Sequence, residues 1–298
     1  MTFANLRLIR DISQLRSVSR AAQGNEISQS AASQALTDLE EELGVVLFDR
    51  TTRPLTVTAA GKVYVDFCRD VLRRQDQLQA ELDTLREKLN GVVRVASIYS
   101  VGLSEMSAIE LRFHKRFPEA QLEISYLRPE RVWNAVATGD ADLGLMSYAE
   151  SSRDILAVNW RKEEMVVAAA PGHRLASRQF VRPIDLEGQA FIGFDEDLPI
   201  QNHIDRYLRD HRVTVDLIMH FDNLQMIKEA VAHGAGISIL PRRVMLNDIK
   251  TKRVKALRLE PTELFRPLHI IHRRRRTFNA VTSGLLALLK EDERSNAA

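Results

Sequence analysis

Along residues 28–44 the apolar positions Ala32, Leu36, Leu39 and Leu43 recur three and four apart, while Gln29, Ser30, Ser33, Gln34 and Thr37 fall on another side. That spacing predicts an amphipathic helix, because about 3.6 residues complete a turn. Ser28 has the side chain of an N-cap, and Gly44 tolerates the left-handed backbone that ends a helix. Upstream, Phe3, Leu6, Ile9 and Ile12 mark a helix over 3–15, and Ser17-Val-Ser-Arg-Ala-Ala22 opens another. Downstream, residues 49–58 alternate like a small hairpin that presents Arg50 and Arg53. Helices followed by a hairpin predict an all-α winged helix-turn-helix over residues 1–58.

Thr58 can cap a long helix from about Ala59 to Leu89. Heptads written onto it place Cys68, Gln75, Leu82 and Leu89 at a, with Tyr64, Val71, Leu78 and Leu85 at d. The pattern predicts a dimerising linker helix over 59–90 whose seam includes Val71, Gln75, Leu78, Leu82 and Leu85. A polar Gln75 there weakens the seam and penalises slipped registers. A long helix packed on its own domain is the alternative reading.

Asn90-Gly91 breaks the helix, and short strands then alternate with helices. Strands are expected at 92–97, 121–127 and 142–146, then at 166–170, 191–194, 215–221, 236–240 and 268–272. Helices are expected from Ser100 to Phe117, at 131–138, at 223–232 and at 279–289. The overall class is α/β, with a parallel sheet and crossover helices.

Composition adds limits. A net charge of +2 is small, and residues 1–90 hold 12 Lys plus Arg against 13 Asp plus Glu. An argument for nucleic acid therefore rests on placement of side chains. The single Cys68 forms no disulfide within the chain and fits a reducing compartment. Neither a signal peptide nor a membrane-spanning run is evident, so a cytoplasmic protein without membrane contact is expected.

The polar face of the 28–44 helix is short-chained and uncharged, which suits approach to base edges in a major groove. Glu40, Glu41 and Glu42 at its other end are repelled by phosphate, so contact falls to the first two turns. Gln29, Ser30, Ser33, Gln34 and Thr37 are the candidate groove residues; Arg20, Arg50 and Arg53 are candidate phosphate anchors. Gln34 suits an adenine edge.

The run Ser19-Arg-Ala-Ala22, Ser28-Gln-Ser-Ala31, Ser33, Leu39-Glu-Glu-Glu-Leu-Gly44, Leu47-Phe48, Arg50, Leu55-Thr56 and Thr58-Ala-Ala-Gly61 resembles the LysR-type transcriptional regulators. The resemblance implies a two-lobed, periplasmic-binding-protein-like effector domain over 91–298. Subdomain I takes 91–164 and 269–298, subdomain II takes 165–268, and the crossings lie near Lys162 and Arg266. It also implies a regulator bound to double-stranded DNA at a promoter palindrome, controlled by a small-molecule effector. Homodimers assemble to a homotetramer, with RNA polymerase as a further candidate partner. Two departures stand out: Asn25 where an apolar residue is usual, and Gln34 where a basic one is frequent.

Ligands of open α/β sheets lie beyond the carboxyl ends of strands. The loops at Tyr99-Ser100-Val101, Ser147-Tyr148, Asp195 to Gln201 and Phe221-Asp222-Asn223 qualify. The candidate effector contacts are Ser100, Val101, Arg128, Ser147, Tyr148, Ile200, Gln201, Phe221 and Asn223, with Ser100 foremost. Arg128 is expected to favour an anionic effector. The eight histidines lack metal-ligand spacing, and Gly234-Ala-Gly236 precedes a strand and reads as a turn. No cofactor, metal or catalytic set is expected. The rival readings are a solute-binding protein carrying a coiled coil and an enzyme on the two-lobed fold.

Overall fold

The computed structural model describes residues 3–85, 91–102, 106–261, 263–274, 276 and 278–295, without the side chains of 76, 77, 79–81, 83–85 and 292–295. The chain divides into two compact units, Met1–Lys88 and Leu89–Ala298.

The first unit opens with α1 (Phe3–Leu15), α2 (Val18–Gly24) and α3 (Gln29–Leu43). The Ser17 hydroxyl accepts from the Arg20 N–H and caps α2, and the Ser28 hydroxyl accepts from the Ala31 N–H and caps α3. Gly44 ends α3 at φ 67°, the left-handed conformation that glycine adopts without a Cβ penalty. Leu6, Ile9, Ile12, Ala32, Leu36 and Leu39 are buried in one core, as their spacing predicts. Phe3 and Leu43, the terminal residues of their helices, are exposed. The hairpin consists of β1 (Phe48–Asp49) and β2 (Thr56–Val57), antiparallel with Phe48 opposite Val57.

The helix α4 (Ala59–Leu85) begins at Thr58, whose hydroxyl accepts from the Gly61 N–H at 2.9 Å and donates to the Val46 carbonyl at 2.7 Å. A Cβ at Gly61 would collide with the Leu47 carbonyl, so only glycine fits this crossing. Val65, Cys68 and Leu72 seal the core of α1 to α3. Cys68 is thus a core residue of its own domain, where heptad spacing had put it on a partner seam. Tyr64 and Val71 pack at the edge of that core. The first half of α4 thus covers the open side of a core made by three short helices and a hairpin, while Val63 and Phe67 on the same half stay exposed. Further along, Leu78 and Leu82 are 57% and 38% exposed. The Leu85 side chain and residues 86–90 lie outside the described residues.

In the second unit, β3 (Gly91–Ile98), β4 (Ala120–Leu127), β5 (Leu143–Ser147), β6 (Ile155–Ala169), β7 (Phe180–Val181), β11 (Lys255–Leu259) and β12 (Leu264–Arg273) form one sheet in the order β4-β3-β5-β12-β6-β11-β7. The strand β10 (Ser238–Pro241) also pairs with β6, and β8 (Ala190–Phe194) pairs in parallel with β9 (Asp216–Phe221). The sheet is mixed, whereas alternation of strands and helices predicted a parallel one. β3 runs parallel to β4 and β5, but β12 runs antiparallel to β5 and β6. Two long strands, each crossing between lobes in opposite senses, leave no other arrangement.

Around the sheets lie α5 (Tyr99–Val101), α6 (Ser107–Arg116), α7 (Pro129–Thr138), α8 (Pro199–Asp210), α9 (Leu224–Ala232), α10 (Leu246–Lys250) and α11 (Ala280–Ser295). Two cores result. One joins Val93, Phe113, Val132 and Leu143 to Trp160, Ile270 and Leu285; the other joins Val166, Phe191, Ile204 and Ile227 to Ile239 and Leu257. Between them β6 and β12 run side by side, with Lys162 opposite Pro267 and Glu163 opposite Arg266. The buried Trp160 Nε1–H donates to the Leu289 carbonyl at 2.8 Å and ties α11 to the crossing strand.

Candidate nucleic-acid interface and ligand cleft

In the first unit α3 buries Ala32, Leu36 and Leu39, while Gln29, Ser30 and Gln34 are exposed and Ser33 and Thr37 half-buried. Three of them are engaged locally. The Ser30 hydroxyl is 2.9 Å from that of Ser28, the Gln34 amide donates to Asp38 at 2.7 Å, and the Thr37 hydroxyl donates to the Ser33 carbonyl at 3.0 Å. Gln34 therefore presents its amide with the carbonyl oxygen and one N–H still available.

The three arginines differ. Arg53 stands on the exposed hairpin with no ion-pair partner among the described residues. Arg20 donates to the Leu15 carbonyl, closing the turn between α1 and α2. Arg50 is held by Glu40 at 2.6 Å and donates to the Thr37 hydroxyl at 3.2 Å. The other Glu40 oxygen accepts the N–H groups of Leu47 at 2.7 Å and Phe48 at 3.1 Å. Glu40 is thus a brace for the chain leaving α3. The expectation that it merely faces away from phosphate missed this, and Arg50 is a partly neutralised charge.

Asn25 fills its unusual position by polar means. Its amide donates to Asp11 at 2.8 Å and to the Ala21 carbonyl at 2.9 Å, and Arg10 pairs with the same Asp11.

In the second unit an open cleft lies between the two cores. Of the expected contacts, Ser100, Arg128, Ser147 and Ile200 line it, joined by Tyr99, Phe194, Asp222, Leu224 and Arg266. The others are elsewhere. Val101 is fully buried in the core of α6 and α7. Gln201 accepts the Phe194 N–H at 2.8 Å and donates to Asp205, so its amide serves the backbone. Asn223 caps α9 by accepting the Gln225 N–H. Tyr148, at φ 55°, packs its ring 5.1 Å from that of His203, and Phe221 packs against the core of β8 and β10.

At the cleft mouth Arg128 stands among carboxylates. Its guanidinium is 2.6 Å from Asp197, 3.3 Å from Glu130, 3.4 Å from Asp222 and 3.8 Å from Asp195. Asp195 also takes the His220 ring at 2.8 Å. Partial burial works against the charge of Arg128, and Asp197, Glu130 and Asp222 more than offset it, leaving its pKa above the ordinary value. Arg128 was expected to offer an open positive charge to an acidic effector; it is already engaged across the cleft by carboxylates.

Deeper in, Arg266 is 1% exposed and donates to Glu163 through Nε at 3.1 Å and through a second nitrogen. Its Nη1 donates to the Ser100 hydroxyl at 2.8 Å. Arg161 Nε lies 3.9 Å from the other Glu163 oxygen. Sequence reasoning placed Arg266 only at a crossing. That residue's basic side chain in an apolar strand was the available signal, since charged groups are rarely buried unless paired. Among the described residues no group of three side chains has the makings of a metal site, and no helix is long and apolar enough to cross a membrane.

Residues 3–62 match the family model for the bacterial regulatory helix-turn-helix protein, lysR family, and residues 86–294 match that for the LysR substrate binding domain. The Escherichia coli K12 transcriptional regulator YeiE is 29% identical over 279 residues, which is 93% of this chain and 92% of that one. Full-length CbnR complexed with its target DNA shares the fold at TM-score 0.69 and 18% identity, over 99% of both chains. The regulatory domain of CcmR from Synechocystis, in complex with 2-PG, matches 68% of this chain and 98% of its own at TM-score 0.63 and 19% identity. With a LysR-type helix-turn-helix ahead of a LysR ligand-binding domain, this chain belongs to the LysR-type transcriptional regulators.

Proposed function

We propose that α3 enters the DNA major groove with its first two turns, that Gln29, Ser30, Ser33, Gln34 and Thr37 face the bases, and that Arg20, Arg50 and Arg53 approach the phosphates. The observation that carries this is that α3 buries Ala32, Leu36 and Leu39 and leaves uncharged polar residues outside that core from its cap onward, with Gln29, Ser30 and Gln34 exposed and Ser33 and Thr37 half-buried. Full-length CbnR, solved in complex with its target DNA, supports the same use of a like-folded chain.

Two chains pair along the far half of α4 through Leu78 and Leu82, which expose apolar surface that their own domain leaves uncovered. A second association joins effector domains into a tetramer. The exposed strand β9, with Leu217, Ile218 and Met219 each more than 40% exposed, and Leu111 on α6, 76% exposed, supply apolar surface for it. Such a tetramer bends its promoter and stands where RNA polymerase can touch it.

A small molecule in the cleft between the lobes biases the assembly between two geometries, by binding one more tightly than the other. The 2-PG complex of CcmR supports a ligand role for a domain of this fold. With a single cysteine, the chain cannot close a disulfide within itself. The test is fluorescence anisotropy with the chain's own upstream DNA. Binding to one duplex at nanomolar protein, lost in Ser33→Trp, is expected; equal affinity for unrelated duplexes would sink the reading.

A further inference from the structure

We infer that the effector is a cation, a small amine or guanidine with an apolar body, whose head takes the place of the Arg128 guanidinium at the cleft mouth. This rests on the cleft being the effector site, as proposed above, and adds the class of molecule.

Apart from the three-residue α5, three helices begin at this cleft, and helix N-termini ordinarily favour anions. Here each start already has a carboxylate. Glu130 lies in the first turn of α7, Asp197 directly precedes the Leu198 cap of α8, and Asp222 directly precedes the Asn223 cap of α9. The N–H groups are largely used as well. Pro129 and Pro199 have none, Gln201 and Asn202 donate to the Leu198 carbonyl, and Gln225 donates to Asn223.

The charges around Arg128 do not balance. Glu130, Asp195, Asp197 and Asp222 all approach within 4 Å of this one guanidinium. The second arginine of the cleft, Arg266, is committed to Glu163. An acidic ligand would add a further negative charge, while a cation relieves the excess. Arg128 is in this view a built-in occupant that a ligand must displace.

An independent feature lies at the other end. Ser147 lines the cleft and is 5% exposed, and its hydroxyl has no hydrogen-bond partner among the described residues. A hydroxyl on the cleft wall with no protein partner can take a hydrogen bond from a ligand. The cleft lining also includes the apolar side chains of Ile98, Leu127, Phe194 and Leu198. The matching molecule has a cationic head, an apolar middle and a hydrogen-bonding inner end.

The test is calorimetry on the full chain at low salt with three probes of one shape: benzylammonium, benzyl alcohol and benzoate. Benzylammonium is expected to bind about tenfold more tightly than benzoate. It should bind Arg128→Ala about fivefold more tightly still, because the internal competitor is gone. It should lose affinity in the double variant Asp197→Asn, Asp222→Asn. Benzoate binding as tightly as the amine, or amine binding indifferent to the double variant, overturns the inference. So does failure of methylguanidinium to bind Arg128→Ala at millimolar concentration, since the acidic cage is then open. The underlying reading fails differently. Ser147→Leu fills the cleft floor and should weaken every probe, with Ile200→Trp repeating the test if that variant does not fold. Probes that bind these variants as well as wild type sink the cleft as the effector site, whichever charge they prefer.

Discussion

Glu40 on α3 holds Arg50 of the hairpin at 2.6 Å while its other oxygen receives two backbone N–H groups, from Leu47 and Phe48. One carboxylate thus fixes the wing against the helix proposed to read DNA. Glu40→Ala strands two partly buried N–H groups, a loss of about 1–3 kcal/mol that thermal unfolding should register.

The same pair separates two arginines that look alike in sequence. Each phosphate contact steepens the salt dependence of affinity by about 0.9 units of slope. Arg53 has no internal partner among the described residues, whereas Arg50 has Glu40. Arg53→Ala is therefore expected to flatten the slope of log affinity against log salt by about one unit, and Arg50→Ala by clearly less. Anisotropy titrations over a range of salt measure both; equal slopes for the two variants would contradict the assignment.

In the proposed interface Gln34 meets its base while Asp38 takes one of its amide hydrogens at 2.7 Å. With the carbonyl oxygen and the second N–H left, the side chain still matches the N6 and N7 edge of adenine. Selection of sites from random duplexes is expected to give adenine at one position, shifting to guanine in Gln34→Arg. The selection is repeated with Asp38→Ala, because an arginine at 34 meets Asp38 one turn on. An unchanged preference in both would remove Gln34 from the interface.

Leu78 and Leu82 present apolar surface beyond the part of α4 that Val65, Cys68 and Leu72 bury at home. Charge at this seam should separate the chains, at a loss of about 1.5–3 kcal/mol for each leucine no longer buried. The variant Leu78→Glu, Leu82→Glu is expected to halve the mass seen by light scattering and to abolish DNA binding with little change in monomer unfolding. Retention of the wild-type mass would place the dimer seam elsewhere.

What was legible in the sequence was local. The face of α3, its Ser28 cap and its Gly44 stop follow from residues a turn apart, and the structure repeats them. α8 also had a signal, Ile200, Ile204, Tyr207 and Leu208 at helical spacing, which its dense charged residues obscured. The first half of β6 was not legible, since Arg161 and Glu163 read as surface residues until β12 supplies Arg266 from a hundred positions away. The cleft divided in the same way. Ser100 and Ser147 follow from their places after strands, but the carboxylates that surround Arg128 come from two loops, at Asp195 to Asp197 and at Asp222, and from the first turn of α7, and no spacing rule joins them.

His269 is 8% exposed, and its Nδ1 accepts the Ala149 N–H at 3.3 Å, so the folded chain needs the neutral ring. Burial holds its pKa below the ordinary imidazole value. The unfolded chain therefore binds the proton first as pH falls. Stability from this group is whole above about pH 6.5 and declines as pH drops from there towards the folded pKa. Thermal unfolding of the wild type is expected to weaken over that interval. His269→Asn keeps an acceptor without a titrating ring, so its curve should be flatter; an identical slope would acquit the residue.

Glu163 stands between Arg266 and Arg161, with side chains 2%, 2% and 7% exposed. Removing its charge leaves two guanidinium groups in a poorly hydrated place. Glu163→Gln is accordingly expected to cost about 3–5 kcal/mol, the usual loss when one partner of a buried pair is removed. The pair itself is not expected to be the source of stability, because desolvation offsets most of its Coulomb attraction. Glu163→Leu combined with Arg266→Met should therefore unfold later than Glu163→Gln alone. Yet it also removes the bond from Arg266 to the Ser100 hydroxyl, a tie between the crossing strand β12 and α5 at the cleft. The double variant should thus fold, bind DNA and respond poorly to ligand. Urea unfolding, anisotropy and calorimetry on the same preparation separate these effects. A double variant less stable than Glu163→Gln would mean that the ion pair stabilises the fold in its own right, and normal ligand response would free Ser100 from any dependence on Arg266.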